Sequence, residues 1–87
     1  MANRLMTLDL FDTFDITDAD VAAVVDAYMA DPKAGSVAFG DGYRIDPAVA
    51  VASHPFASTL MGQPWASVEL RRAAVRAAIM LVQPERI

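Results

Sequence analysis

Between Pro64 and Val82 the chain offers its longest run without a helix-breaking residue, and its most helix-favouring one. Projected at about 100° per residue, Glu69, Arg72, Arg76 and Gln83 gather into one narrow polar strip. Almost everything else is apolar, with Val68, Val75, Ile79 and Val82 on one flank and Leu70, Ala74, Ala77 and Leu81 on the other. A helix that is apolar over most of its circumference must be covered on several sides. The cover comes from its own chain or from a second copy.

The rest of the chain must therefore supply surfaces for this helix. Thr17 is an N-cap candidate, and Asp20 three residues on can return the bond, close to a capping box. Ile16 and Val21 make a hydrophobic staple around it. Val21, Val24, Val25, Tyr28 and Met29 then follow the spacing of one buried helical face. Asp31-Pro32 ends it, so a helix is expected over 17–30. Val37 and Phe39 alternate against Tyr43 and Ile45 around Gly40-Asp41-Gly42, which predicts a β-hairpin over 36–45. Asp46-Pro47 opens a short helix to about Ser53, His54-Pro55 breaks it, and Phe56 to Met61 make one further turn. The first fifteen residues are ambiguous. Leu5, Leu8, Phe11 and Phe14 recur every third position, whereas Leu8, Leu10, Phe14 and Ile16 fit a strand face. An extended arm near Leu5–Leu10 is the expectation, and it is the local donor of a third strand for the hairpin. The sum is a small single α+β domain over 1–87, with main helices at 17–30 and 64–82 packed with the hairpin.

Composition narrows what such a domain can do. Of the 55% hydrophobic residues, 17 are alanines, which favours close helix packing over a large aromatic core. A chain of 87 residues leaves much of its surface exposed and is marginal unless idealised or oligomeric, so monomer and homodimer both remain open. There is no cysteine, hence no disulfide framework and no thiolate metal site. The first ten residues do not read as a signal peptide, and the run Ala73–Val82, interrupted by Arg76, is too short to span a bilayer. A soluble cytoplasmic protein with no membrane contact is expected. The net charge of −4 is polarised: residues 1–31 carry seven aspartates against Arg4, while residues 63–87 carry four arginines against Glu69 and Glu85. That pattern permits pairing of the two ends or an acidic face offered to a basic partner.

The candidate chemistry is sparse. Asp9, Asp12, Asp15, Asp18 and Asp20 lack the glycine and closing glutamate of a calcium loop. They read as a solvated face, or as carboxylates imitating phosphates in a partner's basic nucleic-acid-binding surface. His54, near Ser53 and Ser58, has no orienting acid and no oxyanion hole to argue for a triad. Gly40-Asp41-Gly42 is a turn, since a phosphate-binding loop needs a longer glycine spacing. No catalytic residue, cofactor or metal is expected. Arg71, Arg72 and Arg76 could face a duplex, but a narrow polar strip on an acidic domain disfavours direct nucleic-acid binding. Trp65 and Phe56 flank the long helix as core or as interface anchors. Arg71 lies on an apolar flank, so a carboxylate from Asp9, Asp12 or Asp15 is expected to reach it.

The expected function is a non-enzymatic protein-interaction module that occludes a surface on a larger partner. Its contact residues would come from Asp9, Asp12, Asp15, Asp18, Phe11, Phe14, Trp65, Arg72 and Arg76. In profile alone, small, acidic and free of cysteine, the chain is similar to compact inhibitors such as the phage-encoded anti-defence (anti-CRISPR-like) proteins. No motif matches a family. The alternatives are a homodimeric DNA-binding regulator using the arginines of the last helix, and a phage structural or assembly subunit.

Overall fold

The computed structural model describes residues 6–12, 16–40 and 42–86, the Arg86 side chain excepted. Their elements run α1 (Thr7–Asp12), α2 (Asp18–Ala30), β1 (Val37–Phe39), β2 (Tyr43–Ile45), α3 (Pro47–Ala52), α4 (Pro55–Met61), α5 (Val68–Met80) and β3 (Glu85–Arg86). This is the small α+β domain that the sequence predicts.

Local chemistry accounts for most of the boundaries. Thr17 caps α2: its hydroxyl accepts the Asp20 N–H at 3.2 Å, and the Asp20 carboxylate accepts the Thr17 N–H at 2.8 Å. The shorter aspartate thus completes a box that glutamate usually closes. Ile16 and Val21 are both buried beside it, as a staple requires. Asp46 caps α3 by accepting from Ala48 and Val49, with Pro47 in the first turn. In the β1–β2 turn Gly40 and Gly42 take φ of 60° and 90°, a region in which a side chain would be strained.

His54 begins α4 in the same manner. Its Nδ1 accepts the Ala57 N–H at 3.1 Å, and Pro55 follows it in the first turn. Pro55 thus starts a helix instead of merely ending one. His54→Ala is expected to cost about 1 kcal/mol and to lower Tm by roughly 4–8 °C. His54→Asn, whose side-chain oxygen can accept the Ala57 N–H in place of Nδ1, is expected to recover most of that loss in the same melting experiment.

Three expectations require correction. Within the N-terminal arm, Thr7–Asp12 is a helix, not a strand. The Asp9 carboxylate accepts the Met6 N–H at 3.0 Å, which closes the first turn of α1. Thr7 and Leu10, three apart, then point into the core, while Leu8 is exposed. The third strand comes instead from the other end of the chain: Glu85–Arg86 pairs antiparallel with β2, giving the order β1-β2-β3. Arg44 and Glu85 lie opposite each other in that register and join at 3.2 Å.

The long helix begins later than Pro64. Residues 64–67 form the approach, and the Ser67 hydroxyl caps the helix by accepting the Leu70 N–H at 3.1 Å. It ends at Met80, before Val82, and the Val82 carbonyl turns to Thr7. Both the Thr7 N–H, at 2.8 Å, and its hydroxyl, at 3.2 Å, donate to that oxygen. Thr7 is thereby fully buried and still satisfied.

The cover over α5 also differs from expectation. Ala74, Val75, Ala78 and Ile79 are buried, and α5 packs on α4, α3 and α2. The hairpin packs through β1 on α2, one layer away. The short α3 and α4 meet α5 through small residues, among them Ala50, Ala57, Ala74 and Ala78. Because this cover spans only part of the helix, Val68, Leu70 and Leu81 stay exposed.

Candidate functional site

The connection between α4 and α5 carries the most exposed large apolar side chain among the described residues. Trp65 is 68% exposed, with Val68 at 62% three residues on and Phe56 at 60% in the first turn of α4. The exposure of Trp65 and Phe56 resolves the core-or-interface question in favour of the surface. A tryptophan so placed forgoes the stabilisation that burial would bring, roughly 25 cal/mol per Å² of apolar area.

The turn that holds it is braced from several directions. Gln63 N–H donates to the Leu60 carbonyl at 3.0 Å, and Ala66 N–H donates to the Gln63 carbonyl at 3.3 Å. The indole N–H of Trp65 donates to Gln63 Oε1 at 3.2 Å. From inside α5, Arg71 reaches back over the same residues. Its Nη2 donates to the Gln63 carbonyl at 2.7 Å and its Nε to the Ala66 carbonyl at 3.2 Å.

The expectation that an N-terminal carboxylate meets Arg71 is therefore corrected. Two backbone carbonyls at the end of a helix–turn supply the partial negative charge that the half-buried guanidinium needs. The planar fork of arginine fits two acceptors on one loop, where lysine has a single point charge. Arg71→Ala and Arg71→Lys are both expected to destabilise the fold by about 1–3 kcal/mol. They are also expected to lower the fluorescence anisotropy of the sole tryptophan, since its loop loses two anchors; unchanged anisotropy would refute the bracing role.

The remaining sequence candidates fall elsewhere. Phe14 and Asp15 lie outside the described residues. Asp9 caps α1, and Asp12, the last residue of that helix, is exposed. Phe11, Asp18 and Arg76 come together where α1, α2 and α5 meet: the Arg76 guanidinium lies 5.8 Å from the Phe11 ring centre and 2.9 Å from the Asp18 carboxylate. Arg72 pairs with Asp26 of α2, a residue to which the sequence pattern assigns no role. These two ion pairs flank a shallow cleft of about 350 Å³ with Ala22, Val25 and Ala73 in its lining. Half-exposed pairs of this kind stabilise a fold by roughly 0–1 kcal/mol each. They bridge α2 and α5 at the rim and occupy both arginines of the polar strip.

Among the described residues no three histidine, cysteine or acidic side chains are grouped to hold a metal ion, and no helix is long and apolar enough to cross a membrane. No family model, curated protein or solved structure matches the chain.

Proposed function

We propose that this protein is a non-enzymatic interaction module that docks on a larger protein through the Trp65 turn and so occludes the surface it covers. The observation that carries this reading is a tryptophan 68% exposed on a turn that Arg71 and Gln63 hold by hydrogen bonds. Binding normally costs the ordering of interface side chains and loops. Here the hydrogen bonds of the turn are made within the chain itself, which lowers that cost. Tryptophan is among the residues that dominate interface energetics, and Phe56, Val68 and Leu70 add apolar surface to the same stretch of chain.

The DNA-binding reading draws less support. Arg72 and Arg76 are held by Asp26 and Asp18, and Arg71 by carbonyls. Engaging phosphates would mean competing with carboxylates already in place, on a chain of net charge −4. The assembly-subunit reading keeps one favouring observation: Val68, Leu70 and Leu81 of the α5 region are exposed. Light scattering separates it, because a monomer at high concentration is incompatible with repeating self-burial.

The test is affinity capture from a lysate of the source organism, run in parallel with wild-type protein and the Trp65→Ala variant. A partner retained by the first and absent from the second supports docking through this turn. Equal capture by both refutes it.

A further inference from the structure

Arg71 brings to the Trp65 turn a charge that no described carboxylate neutralises. On the same helix, Arg72 and Arg76 meet the carboxylates of Asp26 and Asp18. Arg71 meets only the uncharged carbonyls of Gln63 and Ala66, at 2.7 and 3.2 Å. Those two residues bracket Trp65 in sequence, so the positive charge belongs to the turn that exposes the indole.

A guanidinium carries N–H donors on all three of its nitrogens. One on Nε and one on Nη2 go to the carbonyls, which leaves both donors of Nη1 and the second of Nη2. No side-chain nitrogen among the described residues is at once fully buried and without a partner. Nη1 therefore reaches the surface, although Arg71 as a whole is half-buried. Neighbouring N–H groups at the end of a planar fork match the two oxygens of a carboxylate.

We infer that the partner segment docking on the Trp65 turn is acidic, and that it sets an aspartate or glutamate carboxylate on the outer end of Arg71. This rests on the docking reading above and adds the chemistry of the partner to it. The opposing charges are weaker contenders. The net charge of −4 is spread over the whole chain, and at physiological salt exposed charges more than about 8 Å apart are largely screened. Glu69, in the first turn of α5, is exposed to water, where a charge acts through a higher dielectric than at a half-buried guanidinium. Lys33 is exposed in the connection between α2 and β1 and, as a flexible ammonium, offers no fork.

The intact chain is titrated, at about 0.15 M salt, with an end-blocked hexapeptide alternating leucine and glutamate. Its glutamine and lysine counterparts and a duplex oligonucleotide are titrated in parallel. Two signals are followed: the Nε–H resonance of Arg71, and the emission of Trp65, the sole tryptophan. The expected result is a saturable shift of both with the glutamate peptide and of neither with the lysine peptide or the duplex. The glutamine peptide is expected to bind roughly tenfold more weakly, in line with loss of a charge-assisted hydrogen-bonded pair. Arg71→Gln is expected to weaken the glutamate peptide by a similar factor. Arg44→Gln removes the same charge from an exposed pair on β2 and is expected to leave binding nearly unchanged. Far-UV circular dichroism shows whether each variant folds; should Arg71→Gln fail to fold, the Arg71 resonance of the wild-type chain decides the matter by itself.

An Arg71 resonance unmoved by the glutamate peptide overturns the inference. So does equal binding of the glutamine peptide, a stronger response to the lysine peptide or the duplex, or equal weakening by Arg71→Gln and Arg44→Gln, which would mark attraction to overall charge only. If the glutamate peptide leaves Arg71 unmoved while Trp65→Ala still abolishes capture of a partner, the docking surface stands and its acidic selectivity falls. If Trp65→Ala leaves capture unchanged, the docking reading itself fails and the inference goes with it.

Discussion

Ile79→Ala is expected to remove about 2–5 kcal/mol of stability. Ile79 is fully inaccessible on the buried face of α5, in line with Val75 and beside Ala78. Its removed carbons lose their transfer free energy, and a cavity is left where the surroundings relax only partially. A domain of this length holds roughly 4–13 kcal/mol in all, so one truncation takes a large share of the total. Urea denaturation measures it as a lower midpoint at unchanged slope. Ile79→Val, which deletes a single methyl group, serves as the graded control at about 0.5–1.5 kcal/mol. A loss below about 1 kcal/mol for the alanine variant would mean that α5 is not the core element described.

Trp65→Ala is expected to do the reverse. Its side chain is mostly outside the fold, so the urea midpoint should shift by no more than about 0.5 kcal/mol in stability terms. Its cost falls on association instead. A central tryptophan is worth about 2 kcal/mol or more at an interface, which raises Kd roughly 30-fold. Calorimetric titration against the captured partner gives that ratio directly. A Trp65→Ala protein that is strongly destabilised would show the ring to be structural; one that binds normally would remove it from the interface.

The contrast between these two residues is informative because neither role follows from residue type. Ile79 and Val68 sit on the same flank of the projected helix, yet the first is buried and the second is largely exposed. What separates them is which neighbour lies alongside. The buried positions of α5 begin at Ala74, and Val68 lies in the first turn ahead of them. Likewise Arg72 and Arg76 share a polar strip with Glu69 in projection, and the sequence does not say which carboxylates they meet. They become rim pairs because the packing of α2 on α5 brings Asp26 and Asp18 opposite them.

From the sequence alone come the helix over 17–30, the hairpin with its two positive-φ glycines, the start of α3 at Asp46, and the α+β class. Each local feature is set by atoms within about four residues of one another: a capping side chain meets an N–H three positions on, and a turn closes over two or three residues. Such contacts are encoded in the order of residues and need no distant partner. The tertiary structure alone decided four other points. The helix over 7–12 is fastened to the core because the Val82 carbonyl, seventy-five positions away, accepts both donors of Thr7. The third strand comes from Glu85–Arg86 because Arg44 finds Glu85 across the free edge of β2. Arg71 turns to the Gln63 and Ala66 carbonyls instead of a distant aspartate, because the approach to α5 folds back within its reach. Trp65 remains outside because that braced turn points it there. In the first two cases segments far apart in sequence meet, and in the last two the path of the connection before α5 decides which groups come within reach.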